Sequence, residues 1–231
     1  MSRVSLIHGI DYNLPLSFLS NISFNIRKRI FKRLKSYIDF SSLEHVLDIG
    51  VTSYKDNAES NFFEKLFPYP EKIVALSKQN ASWLEKEYSG LKFVYGDGCK
   101  LPFNDNTFDL VFSSAVIEHT GCTSQQQSFI NECYRVAKKY VFLTTPNRWH
   151  PLEFHSLLPL IHWLPKPLHR KLLNLLGYKE LSQEQHLNLL STKELKNLCN
   201  QLQHIYIYTN HVKFLGFPSN ILLYLEKNHT C

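Results

Sequence analysis

The sequence predicts a doubly wound α/β domain built on a mostly parallel, seven-stranded sheet. From residue 43 to 146, short apolar runs with strand-like composition alternate with longer helical patterns. Such alternation is typical of a parallel sheet, because parallel neighbours need long connections and right-handed crossovers place helices on both of its faces. Two further strand-like runs, at 205–213 and 220–226, bring the number of strands to seven. A chain of 231 residues, 44% of them hydrophobic, can fill one core of this size.

A basic segment precedes this alternation. Apolar residues recur at spacings of three and four from residue 22 to 40, which predicts one amphipathic helix. Residues 1–42 carry two acidic and seven basic side chains, the latter being Arg3, Arg27, Lys28, Arg29, Lys32, Arg33 and Lys35. Most of the formal net charge of +6 therefore belongs to this segment. We expect a helical arm over 1–42 and a nearly neutral domain over 43–228, and a neutral domain argues against a nucleic-acid groove.

The elements of the domain follow in order along the chain. Strands are predicted at 45–49, 72–76, 91–95, 108–112 and 140–144, and helices at 58–67, 81–88, 125–137 and 192–203. Residues 149–190 include a stretch rich in Leu, Pro, His and Trp, where Pro159, Pro165 and Pro167 break any long helix. This composition predicts a helical lid inserted after the fifth strand.

Composition also excludes several classes of protein. The five cysteines are far apart and form no Cys-x-x-Cys pair, so neither a disulfide framework nor a zinc site is predicted. The first residues lack the order of a signal peptide, and no uninterrupted apolar run reaches ~18 residues. We expect a cytoplasmic protein. Two alternatives remain for the basic arm. One is contact with the inner membrane surface together with the apolar part of the lid, and the other is simple packing on the domain.

Polar residues follow the predicted strands where parallel α/β sheets bind their ligands. Asp48 and Gly50 end the first strand, and Gly96-Asp97-Gly98 ends the third. A carboxylate flanked by glycines can accept a hydrogen bond from an exocyclic amine such as that of adenine, while the backbone lies close to the ring of the base. The fourth strand runs into Ser113-Ser114-Ala115-Val116-Ile117-Glu118-His119.

These segments together resemble the class I S-adenosylmethionine-dependent methyltransferases, in particular those that act on small molecules. Leu47-Asp48-Ile49-Gly50 is similar to the first motif of the family, and Gly96-Asp97-Gly98 with Phe108-Asp109 to later ones. The resemblance implies a Rossmann-like methyltransferase fold with S-adenosylmethionine as cofactor. It implies that Asp48 and Gly50 lie by the methionine part, Asp97 and Gly98 by the adenine, and Ser113 and Ser114 near the sulfonium. Thr52, Ser77 and Cys99 complete the candidate cofactor set.

The sequence departs from the family pattern at two points. Val51, Thr52 and Ser53 stand where the family usually has further glycines, and Ser77 stands where an acidic residue usually holds the ribose. A catalytically degenerate protein that serves as an interaction module is therefore the alternative to an enzyme.

Methyl transfer from a sulfonium depends mainly on holding the acceptor in line and excluding water. Glu118 and His119 are the candidate catalytic pair where the acceptor must lose a proton, with a structural histidine as the alternative. Polar residues after the fifth strand are candidates for binding a small-molecule or lipid-linked substrate, or for anchoring the lid: Asn147, Arg148, His150 and His155. His155, His162 and His169 are seven apart, but the prolines between them prevent one helical face, and no metal site is predicted.

Overall fold

The computed structural model describes residues 16–55 and 59–228. Residues 1–15 of the predicted arm, with Arg3, and residue 58 of a predicted helix lie outside these ranges. The helices are α1 (Leu16–Tyr37), α2 (Phe62–Leu66), α3 (Leu84–Glu87), α4 (Thr123–Val136), α5 (Lys166–Leu175) and α6 (Thr192–Asn197). The strands are β1 (Val46–Ile49), β2 (Ile73–Ser77), β3 (Lys92–Tyr95), β4 (Phe108–Ser114), β5 (Ala137–Pro146), β6 (Ile205–Phe214) and β7 (Phe217–Lys227).

The seven strands form one sheet in the order β3-β2-β1-β4-β5-β7-β6. The five strands from β3 to β5 pair in parallel, whereas β7 is antiparallel to both of its neighbours. The predicted seven-stranded, mostly parallel sheet is confirmed, and it is a mixed one. Two residues, Leu215 and Gly216, join β6 to β7 with positive φ at both positions, which is the turn geometry that tight hairpins favour.

The helix α1 packs its apolar stripe into the core on one face of the sheet. Ile30 and Leu34 are fully buried and belong to the same cluster as Phe63 and Phe112. Five basic residues of α1 are exposed on its other side: Lys28, Arg29, Lys32, Arg33 and Lys35. The opposite face of the sheet is covered by α4 and α6, through residues such as Phe129 and Leu195.

Regular helix occupies only part of the predicted lid. Within residues 149–190 the structure has α5 and a single 3-10 turn at Ile161–Trp163, and the remainder consists of turns, bends, isolated β-bridges and irregular chain. A separate small apolar cluster, formed by Leu173, Leu181, Leu187 and Leu189, holds the segment together. Its function as a lid stays a prediction.

None of the helices in the described part of the chain is both long enough and apolar enough to cross a membrane.

Candidate active site

The predicted cofactor residues come together at the carboxyl edge of the sheet. The strand order reverses between β1 and β4, and Ile49 of β1 lies beside Ser113 of β4. Ligands of open α/β sheets bind in the crevice at such a reversal. The loops that follow β1, β2, β3 and β4 all end at this edge, so the sheet topology brings together residues that are up to 66 positions apart, from Asp48 to Ser114.

A buried pair of carboxyl groups lies at the end of β1. Asp48 and Glu64 of α2 are 6% and 2% exposed. Burial raises the pKa of Asp48 well above its usual range, and the neighbouring Glu64 raises it further. Burial likewise raises the pKa of Glu64, although its hydrogen bond with Asp48 acts against this shift. Two buried carboxyl groups can share a hydrogen bond only when one keeps its proton, so we expect the pair to carry a single negative charge.

The loop after β1 follows a path that its sequence alone did not specify. Gly50 has φ +99°, and a Cβ there would lie 2.1 Å from the Cγ2 of Val116. The side chain of Asn61 then fixes the loop, because it both accepts from the amide of Thr52 and donates to the carbonyl of Thr52. The Thr52 hydroxyl is buried and has no hydrogen-bond partner among the described residues. Asn61 and Val116 thus replace the missing glycines as the residues that shape this loop.

Asp97, at the end of β3, is already engaged by two groups. Its Oδ1 accepts from the amide of Cys99 at 2.9 Å, and its Oδ2 lies 2.9 Å from the Nζ of Lys78. These contacts outweigh partial burial and lower the pKa of Asp97. Burial and the Asp97 charge raise the pKa of the Cys99 thiol to about 11, so this thiol is not a nucleophile at neutral pH. Gly98 packs against Phe129, whose ring would be 2.7 Å from a Cβ there.

The serines of the candidate set are hydrogen-bonded within the protein. Ser113 donates to the carbonyl of Ile49, Ser114 shares a hydrogen bond with Thr144, and Ser77 accepts from the amide of Gln79. Each of these serines thus has a structural bond that joins strands or shapes a strand end. A role in ligand binding stays a prediction for all three.

Glu118, His119 and His155 meet beyond the ends of β4 and β5. The Nε2 atoms of the two imidazoles lie 3.2 Å apart, and Glu118 Oε1 lies 3.9 Å from His119 Nε2. His155 Nδ1 is 2.7 Å from the carboxylate of Glu153. Burial would lower the pKa of His155, but Glu153 outweighs it and raises that pKa, whereas burial lowers the pKa of His119. We therefore expect His155 to hold a proton more readily than His119.

Two buried amides hold the turn that carries Glu118 and His119. Gln126 donates to the carbonyls of Ile117 and Asn188, and the Asn188 amide nitrogen donates to the carbonyl of Gly121. The backbone amide of Asn188 in turn donates to the carbonyl of Glu118. The segment around residue 188 therefore fixes the turn after β4 from a point about 70 residues further along the chain.

Among the basic residues of α1 at positions 20–37, Arg27 alone does not lie on the exposed face. Its guanidinium lies over the ring of Phe62, donates to the backbone carbonyl of Glu59, and lies close enough to Glu118 to interact with its charge. The basic helix thus contributes one cation to the edge of the site.

Three of the four predicted substrate residues are hydrogen-bonded to backbone carbonyls of the protein. Asn147 donates to the carbonyl of Pro218, and Arg148 donates to the carbonyls of residues 162 and 164. His150 is 2% exposed and lies between the carbonyls of residues 152 and 214. The contacts of Asn147 and His150 join this segment to β7 and β6, and those of Arg148 join it to residues 162 and 164. Substrate binding by these three residues stays a prediction. Only His155 joins the cluster around Glu118.

Comparison with solved structures identifies the fold. A SAM-dependent methyltransferase from Methanosarcina mazei is 17% identical with a TM-score of 0.53, over 84% of this chain and 96% of that one. Magnesium protoporphyrin IX methyltransferase from Synechocystis PCC 6803, with bound SAH, is 10% identical with a TM-score of 0.55, over 91% and 84%. The N-methyltransferase NodS from Bradyrhizobium japonicum WM9, in complex with S-adenosyl-L-homocysteine, is 13% identical with a TM-score of 0.54, over 87% and 86%.

A family model described as a methyltransferase domain matches residues 65–143, which run from α2 to the middle of β5. This match and the shared fold support the resemblance to the class I S-adenosylmethionine-dependent methyltransferases that the strand-end motifs predicted. They also support the prediction of a methyltransferase enzyme. No sequence among the curated proteins matches the chain.

The buried groups at the carboxyl edge fit the cofactor of this family. S-adenosylmethionine carries a positive sulfonium and a positive ammonium group, and the edge offers the buried carboxyl groups of Asp48, Glu64 and Glu118. Thr52 Oγ1 and Glu118 Oε1 are buried without a protein hydrogen bond among the described residues, and the Glu64 oxygens have no described partner besides the carboxyl group of Asp48. Buried polar atoms usually have a partner, and a polar, cationic ligand would supply one.

Sequence reasoning missed several residues of this site. Glu64 and Arg27 lie on helices, Lys78 follows β2, and Asn188 lies in the predicted lid. These four have no local pattern, since only the packing of distant elements brings them to the site. Glu153 belongs to the polar residues after the fifth strand that suit a pocket, and its contact with His155 is what the structure adds.

Proposed function

We propose that the chain transfers the methyl group of S-adenosylmethionine to a small-molecule acceptor at the carboxyl edge of the sheet. The observation that carries the proposal is the match to a methyltransferase domain, together with buried carboxyl groups at the strand-order reversal of the same fold. In this proposal Asp48 and Glu64 supply negative charge toward the cationic cofactor. Asp97 accepts from the adenine amine, which competes with Lys78 for its carboxylate.

The cofactor supplies an activated methyl group, so the protein has to orient the acceptor and exclude water. We propose that the acceptor enters beside Glu118 and His119, between the ends of β4 and β5 and residues 149–190. The lowered pKa of His119 keeps its imidazole neutral at physiological pH, the form that a general base requires. In this proposal Nε2 of His119 removes the proton from an acceptor hydroxyl or ammonium group in the metal-free protein.

Calorimetry with the demethylated cofactor S-adenosylhomocysteine tests the proposal. Asp97→Ala is expected to weaken binding at least tenfold, which corresponds to about 1.4 kcal/mol. Asp39→Ala is the matched control, because Asp39 is an exposed aspartate before β1, at the amino edge of the sheet. Unchanged affinity in Asp97→Ala would remove Asp97 from the site. No binding at all by the folded wild-type protein would favour the interaction module over the enzyme.

A lipid-linked acceptor is the second candidate. Its support is a set of exposed apolar side chains on residues 149–176: Trp149, Leu160, Trp163, Leu164, Leu168, Leu175 and Leu176. Arg170 and Lys171 of α5 and the exposed basic residues of α1 would suit an anionic surface. Co-sedimentation with phosphatidylglycerol vesicles tests this. Leu175→Ser, at a side chain that is 82% exposed, should reduce the bound fraction without lowering stability. Equal binding of both proteins would argue against contact through this apolar surface, and no binding by the wild type would argue against membrane contact.

A further inference from the structure

Three metal-ligating side chains converge beyond the carboxyl ends of β4 and β5. One atom from each of Glu118, His119 and His155 lies within 4.8 Å of the other two. The nitrogen atoms that face each other, Nε2 of His119 and Nε2 of His155, are 3.2 Å apart. Donor atoms bound tetrahedrally to zinc at ~2.0–2.1 Å lie about 3.3 Å from one another. The two imidazoles therefore already have the spacing of metal ligands, and a small rotation would bring Glu118 Oε1 from 3.9 Å to this distance.

The second nitrogen of each imidazole is held by an acceptor. His119 Nδ1 lies 2.6 Å from the backbone carbonyl of His186, and His155 Nδ1 lies 2.7 Å from the carboxylate of Glu153. Each acceptor favours a proton on Nδ1, which turns the lone pair of Nε2 toward the centre of the cluster. A carbonyl or a carboxylate behind each ligating histidine is the usual outer shell of protein metal sites.

Glu118 provides the negative ligand. Its carboxyl group is 0% exposed, and Oε2 accepts from the hydroxyl of Thr145 at 2.9 Å. Oε1 is buried and accepts no hydrogen bond from the residues that the structure describes. A buried carboxylate oxygen without a partner costs free energy, because nothing replaces its hydration. A cation bound between Oε1 and the two imidazoles removes that cost.

We propose that Glu118, His119 and His155 bind one divalent transition-metal ion, with Zn²⁺ as the preferred ion. Two imidazole nitrogens and one carboxylate oxygen suit Zn²⁺ better than Mg²⁺, which prefers oxygen ligands. Glu118 and Glu153 together outweigh the positive charge of Arg27, so a cation is electrostatically acceptable with both imidazoles neutral. Three protein ligands leave a coordination position open, which an oxygen or nitrogen atom of a small molecule can occupy.

Zinc binding to the full-length, metal-stripped protein tests this proposal, and it is measured independently of cofactor binding and methyl transfer. Titration calorimetry is expected to give one Zn²⁺ per chain for the wild type. His155→Asn and Glu118→Gln should each weaken binding at least tenfold. Glu153→Gln removes only the outer-shell carboxylate and should weaken binding 10- to 100-fold. His204→Asn is the matched control, because His204 is exposed, has φ +54°, which asparagine tolerates, and precedes β6 at the opposite edge of the sheet.

Two results would overturn the proposal: less than one Zn²⁺ bound by the wild type, or the same affinity in His155→Asn and Glu118→Gln as in the wild type. Comparing the variants with the wild type also distinguishes zinc binding at this site from zinc binding by the cysteines, since neither substitution changes a thiol. Circular dichroism establishes that each variant is folded. Should His155→Asn fail to fold, Glu118→Gln, which preserves the size of the side chain, decides the outcome.

Discussion

Replacing Glu64 by Gln should stabilise the folded chain, an unusual expectation for a buried position. Both Glu64 oxygens are buried, and they face the Asp48 carboxyl group, which can hydrogen-bond to Glu64 only while one of the two groups keeps its proton. A buried polar group without a partner costs ~1–3 kcal/mol, and a charged group costs more. The side-chain amide introduced by Glu64→Gln would provide an N–H donor to Asp48 in nearly the same volume. For a chain of this length, ~2–4 °C per kcal/mol gives a rise in Tm of about 2–12 °C near pH 8.

The pH dependence gives this prediction its sign. The pKa values of Asp48 and Glu64 are raised in the folded state, so the folded chain binds more protons than the unfolded chain above pH ~4. Stability contributed by the pair is present at acidic pH and is lost as the pH rises toward the raised pKa values. The loss reaches about 1.4 kcal/mol per pH unit for each extra proton. The gain from Glu64→Gln should therefore be larger at pH 8 than at pH 5.

Thermal unfolding followed by circular dichroism at pH 5 and pH 8 measures both effects. Glu71→Gln is the matched control, since Glu71 is exposed and should change Tm little at either pH. If Glu64→Gln lowers Tm equally at both pH values, the carboxyl pair is not strained by like charge and the reasoning is refuted.

Three other substitutions test the surroundings of the site. Asp109 accepts hydrogen bonds from the amides of residues 44 and 45 and pairs with the amine of residue 139, and these contacts lower its pKa despite burial. Asp109→Asn should lower the free energy of unfolding, measured in urea at pH 7, by ~1.5–3 kcal/mol. That difference should shrink as the pH falls below ~4, where the wild-type carboxylate itself becomes protonated. Gly50→Ala should lower stability by at least ~1–2 kcal/mol from its left-handed backbone alone, and adding Val116→Ala should recover only the steric part; full recovery would contradict the backbone cost. Lys78→Ala should raise the affinity for S-adenosylhomocysteine by up to about fivefold in calorimetry, because an exposed ion pair with Asp97 is worth ~0.2–1 kcal/mol; weaker binding would mean that Lys78 itself contacts the ligand.

Much of the architecture followed from local patterns. Each of the first five strands was predicted within a few residues, because strand-like composition and alternation with helices are properties of neighbouring residues. The ordered motifs at the ends of β1, β3 and β4 indicated the family for the same reason. The predicted helix of the arm was also correct in type, and α1 begins at Leu16, before the residue 22 at which its apolar pattern became visible.

The motif residues themselves behave differently from what local sequence suggested. Phe108-Asp109 resembled a family motif, and Asp109 ties the start of β4 to the start of β1 through backbone amides. Asp97 was predicted to receive the adenine, and Lys78 reaches it from the end of the neighbouring strand β2. Sequence spacing cannot reveal such contacts, because they depend on which strands become neighbours in the sheet.

Periodicity and strand-end motifs are encoded locally, so they predicted the fold class, the resemblance to methyltransferases and the edge of the sheet where the candidate site lies. Which charged groups meet at that edge depends on tertiary packing. Glu64 faces Asp48. Arg27 lies apart from the other basic residues of α1 and close to Glu118. His155 contacts His119, which is 36 residues away in the sequence. Burial then gives these contacts their energetic weight, since the same groups in water would interact only weakly.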